Sequence, residues 1–125
     1  MSARRLLVID DAEDMREIAK LFLELDGSFD VVTAGSAEEG LAEARACRPY
    51  AILLDVMMPD VDGIRTLEII RADAALRTVP VIMLSGTVHG PGAERLHGLD
   101  VQGTIAKPFD PATLADDVSA LLAGR

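Results

Sequence analysis

Short aliphatic runs alternate with helical spacings along this chain, and most of the runs stop at a polar residue. Leu6, Leu7, Val8 and Ile9 stop at Asp10 and Asp11; Ala51, Ile52, Leu53 and Leu54 stop at Asp55; Val81, Ile82, Met83 and Leu84 stop at Ser85. The run 29–34 falls between the first two, and a weaker run, 101–106, ends at Lys107 and Pro108. Nearly continuous apolar runs without polar alternation predict strands covered on both faces. That means a parallel sheet between layers of helices.

The intervening segments read as helices. Met15, Ile18, Phe22 and Leu25, with Leu21 beside them, predict an inward stripe on a helix that Gly27 ends. Ser36 with Glu39 three positions on is a capping box. Its helix faces inward through Ala37, Leu41 and Ala44 and is stopped by Pro49. Asp62 caps a third helix that buries Ile64, Leu67 and Ile70. Asp110 and Pro111 open a last one, with Leu114, Val118, Leu121 and Leu122 inward. Residues 86–98 hold Gly86, Gly90, Pro91, Gly92 and Gly98, so only a short helix near 93–97 is expected there, after a long loop. The order is βα five times, which predicts a doubly wound α/β fold. At 125 residues the chain is too short for an eightfold barrel, and residues 1–125 read as a single domain without a linker.

Charge and composition narrow the function. The 21 acidic residues against 12 basic ones leave a net charge of −9, which argues against direct binding to DNA or RNA. Cys47 is the one cysteine, so neither an internal disulfide nor a cysteine-based zinc site is available. No apolar run approaches the ~18–20 residues that span a bilayer, no membrane partner is expected, and the default compartment is the cytoplasm. His89 and His97 lack a cysteine partner and read as surface residues.

In open α/β sheets, ligands bind at the carboxyl ends of the strands. Those ends carry Asp10 and Asp11, then Asp55, Ser85 and Lys107. If the strands are parallel, all five groups converge on one crevice. Two carboxylates ~4 Å apart repel by about 4 kcal/mol at an effective dielectric of 20, so three need a cation. Magnesium suits such a partly filled oxygen site and leaves positions open for a phosphoryl group. Lys107, one of two lysines, is then a point charge for phosphate oxygens.

Together Asp10-Asp11, Asp55, the loop 57–63, Ser85-Gly86 and Lys107-Pro108-Phe109 resemble the response-regulator receiver domains of two-component signalling, over essentially the whole chain. The resemblance implies a flavodoxin-like three-layer sandwich, with a five-stranded parallel sheet of order 2-1-3-4-5. It implies Asp55 as phosphoacceptor, served by a histidine kinase or a histidine phosphotransfer protein. Asp11, Asp55 and the Met57 carbonyl would hold Mg2+, with Asp10 acting through a water. Ser85 and Lys107 would contact the phosphoryl oxygens, and the Lys107–Pro108 bond would be cis. Gly86 would leave room for the phosphoryl group, and Met57 and Thr87 would flank the path of a hydrolytic water. An apolar Met57 offers that water no hydrogen bond, so slow to moderate self-dephosphorylation is expected.

One position departs from the family. Receiver domains usually carry Tyr or Phe where this chain has Thr104, and a threonine cannot repeat the ring motion that accompanies switching. The leading expectation is a phosphorylation-controlled switch that docks to an unidentified downstream protein. It would act alone or as a receiver cut from a longer regulator or hybrid kinase. A small Mg2+-dependent phosphohydrolase is a second reading. It is disfavoured because such enzymes place an aspartate general acid where Met57 stands. A third is an interaction module that has lost phosphorylation.

Overall fold

The computed structural model describes residues 4–25, 27–86, 96 and 98–124. The aliphatic runs are strands: β1 (Arg4–Ile9), β2 (Phe29–Ala34), β3 (Ala51–Asp55), β4 (Val81–Ser85) and β5 (Gly103–Ala106). All pair in parallel, in the order β2-β1-β3-β4-β5. The helices are α1 (Glu13–Glu24), α2 (Ala37–Cys47), α3 (Gly63–Ala72) and α4 (Pro111–Ala123). The short helix expected near 93–97 falls outside the described residues except for Leu96, as do Thr87, His89 and His97.

Successive side chains of a strand point to opposite faces, so each strand feeds two cores. Leu6, Val8, Leu53, Ile82 and Leu84 pack with Ala19 and Leu23 of α1 and Leu114, Val118 and Leu122 of α4. Leu7, Ile9, Ile52, Leu54 and Met83 pack with Ala37 and Ala44 of α2 and Leu67 and Ile70 of α3. The sheet is therefore the middle of three layers, and the polar residues at its strand ends, Asp10, Asp55 and Ser85, belong to neither core.

The helix faces differ in detail from the periodicity reading. α1 ends at Glu24, so Leu25 lies past it at 72% exposure, and Leu21 is 60% exposed. Ala19 and Leu23 form the buried line instead, with Ile18 and Phe22 half-buried beside it. Leu41, Ile64 and Leu121 are likewise half-buried flanks. β5 is shorter than the run 101–106 and starts at Gly103, which sits under α4, where a Cβ would stand 2.5 Å from Leu121. The expected caps form: Ser36 Oγ accepts from Glu39 N–H, Asp62 from Ile64 N–H and Asp110 from Ala112 N–H. None of the described helices is long and apolar enough to cross a membrane.

Candidate functional site

Parallel pairing brings the ends of four strands to one edge of the sheet. Ile9 pairs with Leu54, so Asp10 and Asp55 come next on adjacent strands. Ser85 pairs with Ala106, and the Lys107 amide donates to the Ser85 carbonyl at 2.8 Å. Carboxylate oxygens of Asp10, Asp11 and Asp55 lie within 4.8 Å of one another. Asp10 and Asp55 are buried, whereas Asp11 is exposed.

The lysine reaches into this cluster. Its Nζ is 2.9 Å from Asp10 Oδ2 and 3.4 Å from Asp55 Oδ2. The other oxygen of Asp10 accepts from Ala12 N–H at 3.0 Å, and Asp55 Oδ1 accepts from Met57 N–H at 3.2 Å. Burial, with the Asp10 charge behind it, raises the Asp55 carboxyl from 3.8 to about 6, although Lys107 and the Met57 amide pull the other way. Burial on its own would lower the Lys107 ammonium; the Asp10 hydrogen bond and charge, and then Asp55, outweigh it and raise the pKa. The amine thus stays charged between the two acids. No buried side-chain polar atom among the described residues lacks a partner.

Each group is presented by a local feature of the sequence. Asp55 ends a strand that is buried throughout. Directly behind it Gly63 opens α3, its amide donating to the Val56 carbonyl at 2.8 Å. A Cβ at Gly63 would collide with the Asp55 carbonyl oxygen, so only glycine lets α3 start this close to the acidic residue. The Lys107–Pro108 peptide is cis, as expected. Ser85 is buried at the end of β4, and the space around Gly86 is open, with nothing within 4 Å of where a Cβ would be. Met57, whose amide donates to Asp55, is 64% exposed.

Thr104 stands elsewhere. It lines a groove of about 330 Å³ between β5 and α4 with Ile105, Ala106, Asp117, Ala120 and Leu121, none of them an acidic-cluster residue. Two contacts had no local signal in the sequence. Arg16 Nη1 donates to the Asp10 carbonyl at 2.9 Å, and Asp60, which reads as a loop residue, accepts from Ala37 N–H at 3.0 Å.

Fold and cluster together define a doubly wound α/β domain whose acidic strand-end pocket is compatible with a divalent metal; three hard carboxylate donors suit such an ion. The model of the response regulator receiver domain matches residues 6–119, and the chain belongs to that family. It is 37% identical over 120 residues to the response regulator Rre1 of Synechocystis, covering 94% of this chain and 51% of that protein. It is 33% identical over 122 residues to the phosphate regulon transcriptional regulatory protein PhoB of Klebsiella pneumoniae, covering 96% and 52%. The chain spans about half the length of these curated relatives. The structure of the chemotaxis response regulator CheY4 of Vibrio cholerae matches with a TM-score of 0.86 at 26% identity, covering 96% of this chain and 99% of that one. Receiver domains are signalling modules of two-component systems, and this chain is one of them.

Proposed function

We propose that Asp55 accepts a phosphoryl group from the phosphohistidine of a histidine kinase or histidine phosphotransfer protein, in the presence of Mg2+, and that the phosphorylated domain changes its docking to a downstream protein. The observation that carries this reading is the gathering of the Asp10, Asp11 and Asp55 oxygens within 4.8 Å, with the Lys107 amine 3.4 Å from Asp55. Residues 1–125 act as one receiver unit in the cytoplasm, alone or within a longer regulator or hybrid kinase.

A carboxylate oxygen of Asp55 attacks phosphorus; the P–N bond breaks, and its electron pair returns to the histidine ring. With its carboxyl near 6, Asp55 is mostly ionised at neutral pH and can act as the nucleophile. By the family resemblance, Asp11 and Asp55, whose carboxylate oxygens lie within 4.8 Å of each other, would hold the metal directly, together with the Met57 carbonyl. Asp10, whose oxygens accept from Ala12 N–H and from Lys107, would act through a water, as the family resemblance implies. Magnesium supplies neutralisation of the charge on the transferring oxygens. Ser85 and Lys107 contact phosphoryl oxygens, and the open space at Gly86 admits the group. Met57 would flank the approaching water. Met57 offers that water no polar atom beyond a weakly accepting thioether, which makes hydrolysis slow to moderate.

Incubation with a small acyl phosphate and Mg2+, followed by intact mass, tests the reading. The wild type gains the mass of one phosphoryl group and Asp55→Ala does not. Equal gains, or none in either protein, overturn it.

A further inference from the structure

The first turn of α2 touches the end of β1, just before Asp10, and the loop after Asp55. On one side Gly40 seats on Ile9, the residue before Asp10; a Cβ at position 40 would stand 2.5 Å from Ile9 Cδ1. On the other side the amide of Ala37, the first residue of α2, donates to Asp60 Oδ2 at 3.0 Å. The opening amides of a helix have no acceptor within it. Ser36 Oγ is engaged by the Glu39 amide, so the Ala37 amide is satisfied from a loop 23 residues away. A carboxylate at a helix N-terminus is also favoured by the helix dipole.

That loop is the one directly after Asp55. It is held at its start by Met57 N–H on Asp55 and at its end by Gly63 N–H on Val56. Asp60, between them, carries it outward to another element. α2 thus meets the end of β1 through Gly40 and the loop after β3 through Asp60.

We infer that Asp60 is a positioning residue for the acidic cluster: by holding the Ala37 amide, it locks the loop after Asp55 to the helical turn that backs Ile9, and so sets the spacing between the Asp10–Asp11 loop and Asp55. The inference rests on the reading that this cluster holds a divalent cation.

A simple helix cap and a positioning residue give different results. A cap affects only the melting temperature. A positioning residue also affects metal affinity far below the melt. A third effect, the Asp60 charge acting at a distance on the cation, is separated by asparagine, whose amide oxygen still accepts from Ala37 while the charge is gone.

The experiment is a Mg2+ titration of the wild type, Asp60→Asn, Asp60→Ala and Asp55→Ala, monitored by amide NMR shifts near Asp11 and Met57, with thermal melts in chelator. One cap hydrogen bond sets the scale. Asp60→Ala is expected to weaken Mg2+ about fivefold, ~1 kcal/mol, and Asp60→Asn by about twofold or less. Gly40→Ala displaces the same turn from its other side, by pushing on Ile9, and is expected to weaken Mg2+ in the same direction. Wild-type affinity in Asp60→Ala or in Gly40→Ala overturns the inference, as does an Asp60→Asn variant as weak as Asp60→Ala. A wild type that binds no Mg2+, or an Asp55→Ala variant that binds it unchanged, overturns the underlying reading of the cluster instead.

Discussion

Replacing Asp55 by asparagine should make the metal-free protein more stable, although it removes the proposed phosphoacceptor. The Asp55 carboxyl stands at about 6 in the fold against an ordinary 3.8, mainly because of burial and then the Asp10 charge. A carboxyl raised in the folded state favours folding relative to its ionised form below about pH 4, and that advantage is lost as pH rises through about 6. At pH 7.5 the ionised side chain therefore costs the metal-free fold ~3 kcal/mol. Asparagine removes the charge but gives up the contact with Lys107 at 3.4 Å, while its amide oxygen still accepts from Met57 N–H. Lys107 keeps Asp10 at 2.9 Å, so its loss is partial, and a net gain of ~1–2 kcal/mol remains. For a chain of this length that is a rise in Tm of roughly 4–8 °C. Thermal melts in chelator at pH 7.5 and pH 4.5 measure it. The rise should shrink toward zero at the lower pH, where Asp55 is protonated. Saturating Mg2+ should reverse the order, because only the wild type then gains the binding energy. An asparagine variant less stable than wild type at pH 7.5 in chelator, or a difference that ignores pH, refutes the reasoning.

Three further substitutions probe other parts of the site. Gly63→Ala drives a methyl group into the Asp55 carbonyl and should destabilise the protein by ~2 kcal/mol or more, read by urea melts. Lys107→Met leaves two buried acids facing each other without their cation. It should lower metal-free stability by ~2 kcal/mol, tighten Mg2+ in an NMR titration, and slow phosphorylation by a small acyl phosphate at least about tenfold. Met57→Gln places at an exposed position an amide that can hold a water, and should speed loss of the phosphoryl group on the order of tenfold, measured by intact mass over time.

How far each element is legible in the sequence depends on how short-range its signal is. Asp10, Asp55, Ser85 and Lys107 are legible because an aliphatic run fixes where its strand ends, and parallel pairing then leaves little freedom for the residues just beyond. The α1 face is not: Leu21, Leu23 and Leu25 are the same residue type, so type alone does not say which of them faces inward, and it is Leu23, with Ala19, that is buried, while the helix ends before Leu25. The start of β5 is not legible either: Val101 looks like strand, yet pairing begins at Gly103, which lies against Leu121 of α4. The Asp60 and Arg16 contacts are set by the crossing of loops in three dimensions, and no local pattern of residue types encodes them.

The charge balance of the cluster links the acidic site to the switch. Three carboxylates and one ammonium leave two net negative charges, which one divalent cation would neutralise. The proposed phosphorylation would convert the Asp55 carboxylate to a neutral acyl linkage and add a dianion, so the same site would then carry one net negative charge more. Asp10 holds Lys107 more closely than Asp55 does, 2.9 Å against 3.4 Å, so the amine can turn toward the phosphoryl oxygens without leaving Asp10 unpartnered for its other oxygen, which keeps the Ala12 amide. The remaining charge calls for further donors, and the groups nearest by chain position are the Ser85 hydroxyl and the amides just past it at the end of β4. Thr104 lines the groove between β5 and α4 and carries no ring, so a switch that followed the proposed phosphorylation would not run through an aromatic side chain in this chain.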